Sequence, residues 1–425
     1  MSVMTDPPKP AFRLSQLIYD TRYRSITIQI IALALIAAGI WWLVNNTIAN
    51  LNALGKDFDF GFLGSAAGYD INQMLIEYDS QSTHGRAAIV GILNTLLVAF
   101  LGCITALVLG VFAGVLRLSK NWVVSRLMAV YVEAFRNVPL LLWIILIFAV
   151  VTESTPQPRD FRGDTPAAEM VLNDSVAITN RGTYIPRIGF TRSWSGNEAV
   201  APQEGLPAVA SGGIDWLLIF GTMIISLFVI RTLNARASRI QEATGDRPST
   251  LWTNLAVFFV PLIIVLLILG ATIVKPYLKG FNFTEGVHMR NSLIALWLAL
   301  SVYTGAFIAE NVRAGILAVS KGQTEAASAL GMQPSRTMRL VVLPQAMRVI
   351  IPPLISQFLN LTKNSSLAIA VGYMDVRATL GGITINQTGR ELEGMLLLGL
   401  FYLVLSLVIS GAMNVYNNSM KLKER

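Results

Sequence analysis

Charge and cysteine are both scarce in this sequence of 425 residues. Asp, Glu, Lys and Arg together make up 14% of it, against about 25% in an average soluble domain. The single cysteine, Cys103, cannot form a disulfide within the chain. The two histidines, His84 and His288, are far apart in the sequence. A structural zinc site is therefore not expected.

Motifs that carry chemistry are missing as well. The phosphate-binding pattern G-x-x-x-x-G-K-[ST] does not occur, so the chain is not expected to bind ATP itself. It contains no nucleophile elbow, no H-E-x-x-H pair and no plausible metal constellation. The sequence thus predicts neither a catalytic site nor a metal site, and no cofactor on this chain.

Apolar residues dominate instead, at 53% of the sequence. Several stretches run close to twenty residues without a charge, the length that crosses a bilayer core of roughly 30 Å. We predict an all-α integral membrane protein of about eight transmembrane helices. The predicted spans are 26–44, 87–116, 138–152, 216–230, 251–274, 291–309, 349–374 and 394–416. The formal charge of +8 arises from basic clusters at span ends, so lipid rather than nucleic acid is the expected surrounding.

The basic residues also predict the orientation. Of 33 Lys and Arg, 19 lie in segments assigned to the inner side and 12 in segments assigned to the outer side, as the positive-inside rule requires. Residues 1–25 and the tail 417–425 are then cytoplasmic. Residues 26–86 form the first transmembrane helix and an outer loop. The segment 153–215 is rich in Pro, Gly and charge, and we expect it outside.

One polar, basic stretch, residues 321–344, separates two apolar spans and is expected on the inner side. Good helix formers lead to Gly331, which occupies the position of a helix C-cap glycine. Pro334 suits the first turn of a second helix. The sequence predicts two short helices around a glycine elbow at the inner face of the membrane.

This stretch resembles the EAA loop of the membrane subunits of ATP-binding-cassette (ABC) transporters. The pattern is EAA, three residues, Gly, nine residues, then I-x-L-P, with Val341 in place of the usual Ile. Its other positions are matched by Glu325, Ala326, Ala327, Gly331, Leu343 and Pro344. The resemblance implies that the short helix docks in a cleft of a separate ATPase subunit.

Three flanking segments resemble the polar-amino-acid uptake subfamily of these permeases. They are YVEAFRNVPLL at 131–141, AFIAENVRAGILAVSKGQ at 306–323, and LPQAMRVIIPPLISQFLNLTKNSSL at 343–367. The resemblance implies an ABC type-1 importer transmembrane domain over 87–416, with its core in 87–152 and 288–416. The remainder, 153–287, is similar to the insertion of two extra helices and an outer loop in the larger permeases for general and acidic or amide L-amino acids.

The function implied by this resemblance is that of a permease subunit in the bacterial inner membrane. Its cargo would be polar L-amino acids such as glutamate, aspartate, glutamine and asparagine, or a broader set. The implied partners are a second related permease chain, two ATPase subunits that hold ATP and Mg, and a periplasmic amino-acid-binding protein. A heterodimer of permeases is expected, and a homodimer is the alternative.

Two acid–base pairs are candidates for the substrate path or for coupling. Glu133 and Arg136 are three residues apart and can pair on one helix face, and so can Glu310 and Arg313. The ordinary interpretation of Glu310 and Arg313 is an ion pair at a helix end. The functional interpretation is that they transmit movement of the coupling helix into the bundle.

A polar run inside the seventh span is the strongest candidate for substrate contact. Lys363, Asn364, Ser365 and Ser366 interrupt an apolar stretch, and ionisable groups within spans usually face a bundle interior or an aqueous cavity. Lys363 can bind a carboxylate, and the family has a similar K-[DN]-[ST]-S-L run here. The alternative is a structural lysine paired with Glu133 or Glu310.

Two other functional classes remain open. An ion-coupled secondary amino-acid transporter accounts for the spans and the intramembrane lysine, but not for the EAA loop, and no inverted repeat relates the halves. The other class is a membrane scaffold that transports nothing, for which the polar run in the seventh span has no obvious function.

Overall fold

The computed structural model describes residues 21–53, 55, 57–163, 165–195, 199–202, 207–246 and 248–420. The predicted cytoplasmic N-terminal segment as far as residue 20, residues 421–425 of the predicted tail, Lys56 and Arg247 lie outside the described residues. Within them, eight helices are long and apolar enough to cross a membrane. The predicted all-α class with about eight spans is confirmed.

The longer helices are numbered in chain order. Their bounds are α1 Thr21–Ala53, α2 His84–Leu116, α3 Trp122–Asn137, α4 Leu140–Glu153, α5 Gly213–Thr244, α6 Leu251–Leu269, α7 Asn291–Leu317, α8 Lys321–Ala329, α9 Leu343–Asn364 and α10 Glu391–Met420. Pro139 is the N-cap of α4, a position that its fixed φ and missing N–H suit.

A central bundle of α2, α4, α7 and α9 carries the main core. Glycines let α2 approach its neighbours: a Cβ on Gly102 would lie 3.1 Å from Leu361, and one on Gly114 would lie 2.8 Å from Val312. Close approach matters here because helix association in lipid depends on van der Waals packing rather than on the hydrophobic effect. By contrast, the side chains of α1 are exposed along nearly its whole length.

The insertion forms a helical hairpin and a part rich in β-strands. Helices α5 and α6 pack together, with the Asn254 amide donating to Asn234 Oδ1 at 3.1 Å. All strands pair antiparallel, in the order β1-β2-β7, β3-β4 and β5-β6. They are β1 Ala177–Thr179, β2 Gly182–Ile185, β3 Arg187–Phe190, β4 Ala271–Val274, β5 Tyr277–Lys279, β6 Asn282–Thr284 and β7 Val287–Met289.

Two sequence predictions about the spans are wrong. The predicted fifth span continues to Val274, but α6 ends at Leu269, Gly270 adopts a positive φ of 62°, and Ala271–Val274 is strand β4. The predicted seventh span runs over 349–374, but α9 begins at Leu343, continues through Pro352 and Pro353, and ends at Asn364. Both prolines are exposed, and membrane helices tolerate proline where the freed carbonyls are satisfied by neighbouring groups.

The chain returns to the bundle between α9 and α10 through short turns. A 3-10 helix, Ser365–Val371, ends at Gly372 with a φ of 69°. Tyr373 then donates its hydroxyl to the Asn94 carbonyl at 2.9 Å, and Asn94 donates to the Met374 carbonyl at 2.9 Å. These bonds fix the end of α9 against α2.

Candidate functional site

The glycine elbow is a helix C-cap followed by a new helix, as predicted. Helix α8 ends with two backbone bonds, from Gly331 N–H to the Ser328 carbonyl at 2.9 Å and from Met332 N–H to the Ala327 carbonyl at 3.1 Å. This bonding pattern is a Schellman motif, which needs a left-handed residue at its centre. Gly331 supplies it with a φ of 73°.

The second helix of the loop is longer than predicted. A turn over Pro334–Thr337 passes through a π-helical turn, Met338–Val342, directly into α9. The elbow is therefore joined rigidly to the seventh span. No loop lies between Pro334 and the end of α9. A force on α8 would therefore pass through the elbow and then along one continuous helix to the membrane part of α9.

Most side chains of the loop are exposed, and one of the motif residues is buried. Ala327 is buried, at 4% exposure, against its own chain, so it anchors α8 rather than meeting a partner. Glu325, Ala326, Leu343 and Pro344 are exposed. So are three further apolar side chains that the motif does not include, Leu330 at 82%, Met338 and Leu340. Exposed apolar side chains grouped in this way mark a protein-binding surface.

Replacing Gly331 with Val is expected to lower uptake about tenfold while the protein remains in the membrane. A β-branched residue at this positive φ costs about 1–2 kcal/mol, and a Cβ there meets no neighbour within 4 Å, so the penalty comes from the backbone alone. The matched control is Gly331→Asn, because Asn tolerates the left-handed region. Uptake, membrane abundance and ATPase co-purification are measured together; normal uptake by the Val variant contradicts the elbow's role.

The second predicted group gathers around Glu310 near the C-terminal end of α7. Arg313 donates to Glu310 Oε1 at 2.6 Å, which confirms the predicted pair. Arg117 at the end of α2 also donates to Glu310, and Arg136 of α3 lies 4.0 Å from it. Three helices thus meet on one carboxylate.

Arg136 pairs with Glu310 rather than with its own helix neighbour. Its guanidinium also lies 5.4 Å from the ring centroid of Phe307. Glu133 accepts a hydrogen bond from Asn137 at 3.2 Å and forms no ion pair within the described residues. The predicted pairing on one face of α3 is absent there because α3 and α7 pack side by side, and Arg136 faces that contact.

The polar run of the seventh span lies apart from both acids. Lys363 is exposed and has no ion pair within the described residues, so the alternative of pairing with Glu133 or Glu310 is not realised in this structure. Ser365 is fully buried and donates to the Thr362 carbonyl at 2.7 Å. Asn364 and Ser366 are half-buried.

Two further residues extend this run into a stripe that the sequence reasoning missed. Ser356, Asn360 and Lys363 are all exposed, and their spacing of four and three places them on one face of α9. The spacing can be read from the sequence, but Ser356 and Asn360 are uncharged and so do not stand out within an apolar span as Lys363 does. A polar stripe on a spanning helix suits a water-filled path or a neighbouring subunit and not lipid.

No group of three His, Cys, Asp or Glu side chains lies close enough to hold a metal ion in the part of the chain that the structure describes. The candidate residues form three separate groups, at the elbow, at Glu310 and on the α9 stripe. Helix α9 connects the first to the third. Within the described part of the chain, these candidate residues include no nucleophile and base in contact.

Comparison with known proteins gives a consistent result. Residues 241–422 match the family described as binding-protein-dependent transport system inner membrane component. Over its whole length the chain is 57% identical to the glutamate/glutamine/aspartate/asparagine transport system permease protein BztB of Rhodobacter capsulatus, all of which is covered. It is 42% identical to the general L-amino acid transport system permease protein AapQ of Rhizobium johnstonii, over 96% of this chain and 94% of that protein.

A solved structure described as an amino acid ABC transporter with histidines is also similar. It has a TM-score of 0.43 and 17% identity, and the match covers 79% of this chain and 95% of that one. A similarity at that score carries no argument about the site.

Proposed function

This chain belongs to the family of binding-protein-dependent inner-membrane transport components, and we propose that its cargo is glutamate, glutamine, aspartate and asparagine. The observation that carries the proposal is the 57% identity over the full length to a permease named for those four amino acids. A broader set of L-amino acids is the second candidate, favoured by the 42% identity to a general L-amino acid permease.

As a membrane subunit of an ABC transporter, the chain works with a separate ATPase and with a binding protein. The exposed elbow surface supports the proposal that residues 321–344 are the ATPase contact. Glu325 is the one acid of α8, so it offers a partner for a basic side chain of the ATPase. Docking there would move α8, and the continuous helix beyond Pro334 would pass the movement to α9.

We also propose that a second, related permease completes the path. The polar stripe of Ser356, Asn360 and Lys363 on α9 supports this, because in the single chain it is exposed and lipid is a poor neighbour for it. Two chains that face each other through α9 would enclose these polar groups in a shared aqueous space. A heterodimer and a homodimer both satisfy this requirement.

The segment 153–215 is proposed to lie outside, with both chain termini inside. In a Cys103→Ala background, Ala167→Cys is expected to react with an impermeant thiol reagent added to intact cells whose outer membrane has been permeabilised. Ala243→Cys, at the end of α5, is the inner control and should react only after the membranes are opened. Both positions are exposed. The reverse labelling pattern would invert this topology.

Purification in mild detergent tests the proposed function. A tagged chain is expected to bring down an ATPase in fixed stoichiometry, whose hydrolysis increases when a glutamate-loaded binding protein is added. Uptake competition among labelled L-amino acids then separates the four-substrate proposal from the general one. A chain that purifies alone and still supports ion-driven uptake is instead a secondary transporter.

A further inference from the structure

A cationic pocket lies where the insertion meets the membrane core. It has a volume of about 460 Å³ and is lined by residues from the β1–β2 turn, from the start of α7, from the end of α4 and from the turn after α9. That volume falls in the range of roughly 300–1,000 Å³ typical of small-molecule sites. None of its described lining residues is an acid.

Two arginines give the pocket its charge. Arg290 donates from Nε to the Asn72 carbonyl at 3.1 Å, and Arg181 donates to the Phe281 carbonyl at 3.3 Å. Neither forms an ion pair within the described ranges. Both arginines line the same pocket. Burial raises the pKa of the neighbouring Tyr184 hydroxyl, whereas the hydrogen bond with Asn282 and the charges of Arg290 and Arg181 lower it.

The arginines are held in place by the fold. His288 stacks on Tyr184, with ring centroids 4.2 Å apart, and contacts the Arg181 carbonyl at 3.2 Å. Asn291, in the first turn of α7, donates to the Asn180 carbonyl at 2.8 Å. The β1–β2 turn is thereby fastened to the N-terminal end of α7, whose partial positive charge adds to that of the arginines.

Two residues that line the pocket, Thr152 and Asn180, each carry a polar atom without a partner. Thr152 Oγ1 and Asn180 Oδ1 are buried and accept no hydrogen bond from the described part of the protein. Buried polar groups are nearly always paired, and exceptions call for an explanation. An ammonium group would supply the missing donors, while the guanidinium groups suit carboxylates. An α-amino acid with an acidic side chain carries both an ammonium group and two carboxylates.

We propose that this pocket is an entry site that holds an acidic L-amino acid between its release from the binding protein and its passage through the bundle. Arg181 and Arg290 bind the carboxylates, and Asn180 and Thr152 accept from the ammonium group. Val371 and Gly372 line the pocket and follow Lys363 by less than three helical turns. The pocket thus lies a short distance along the chain from the end of the α9 stripe. The inference rests on the proposed function.

Protection of a cysteine tests occupancy directly. Ser292 lines the pocket, and Ser292→Cys in a Cys103→Ala background is labelled with an impermeant maleimide in the whole complex. Saturating L-glutamate is expected to slow labelling at least fivefold, and L-glutamine less. The double variant Arg181→Gln/Arg290→Gln should abolish the protection, whereas Arg159→Gln, an exposed arginine outside the pocket, should retain it.

Uptake rates give a second measurement that does not depend on the cysteine. Arg181 is exposed, so Arg181→Gln should fold normally. Its glutamate rate at saturation is expected to fall about tenfold relative to its glutamine rate, because one lost charge-assisted bond is worth about a factor of ten. The entry site alone is overturned if the ratio of glutamate to glutamine uptake rates is unchanged in Arg181→Gln. It is also overturned if glutamate does not slow the labelling of Ser292→Cys in a complex that transports glutamate. A wild-type complex without ATP-dependent amino-acid uptake overturns the proposed function itself.

Discussion

Replacing Glu310 with Gln is expected to reduce the folded protein in the membrane more than any other single change considered. Glu310 is the shared partner of Arg117, Arg136 and Arg313. Removing one member of such a group leaves uncompensated charges, at a cost of about 3–5 kcal/mol when fully buried. The Glu310 side chain is 24% exposed, so the lower end, about 3 kcal/mol, is expected.

That cost corresponds to about a hundredfold change in a folding equilibrium. It should appear as low membrane abundance and a lower melting temperature in detergent. The control is Glu133→Gln, the same chemical change at an exposed acid that contacts only Asn137, and it should behave like the wild type. The double variant Glu310→Gln/Arg117→Gln should recover part of the loss. Wild-type melting of Glu310→Gln would show that the arginines do not depend on this carboxylate.

Replacing Lys363 with Met is expected to lower uptake of acidic amino acids at least tenfold without lowering abundance. The charge-assisted bond between an ammonium and a carboxylate contributes about 1.5–3 kcal/mol, which accounts for that factor. Abundance should hold because no acid within the described residues pairs with Lys363, so none is left buried and unpaired. Basal ATP hydrolysis should survive, while stimulation by loaded binding protein is lost.

Two comparisons separate substrate contact from a structural role. Lys279→Met, at the exposed end of β5, controls for the loss of a lysine and should transport normally. Asn360→Leu removes a second member of the stripe and should lower uptake without lowering abundance. If abundance and uptake both fall in Lys363→Met, the lysine has a structural role. If Lys363→Met takes up glutamate at the wild-type rate, Lys363 is not part of the substrate path.

Local patterns predicted the parts of the fold that depend on local physics. Charge-free apolar runs located the spans, because a bilayer core requires about twenty such residues in a helix. Gly331 and Pro334 located the elbow, because a left-handed C-cap and a helix start each select one residue type. Such features depend on the local sequence and not on which residues lie nearby in space.

Features made by distant residues could not be predicted in this way. Ala271–Val274 is as apolar as the span before it, and only its pairing with Arg187–Phe190 makes it a strand. The partner of Arg136 depends on how α3 packs against α7, because spacing along the chain points to Glu133 and only the packing brings Glu310 within reach. The pocket at Arg181 and Arg290 joins residues 109 positions apart in the chain.

ATP-driven uptake in liposomes tests the central claim most directly. The chain is reconstituted with its co-purified permease partner and ATPase, labelled L-glutamate and its binding protein are added outside, and ATP is enclosed. Glutamate is expected to accumulate against its gradient only when ATP is present, and ionophores that collapse ion gradients should leave the rate unchanged. Accumulation that follows an imposed ion gradient in the absence of ATP would contradict the account.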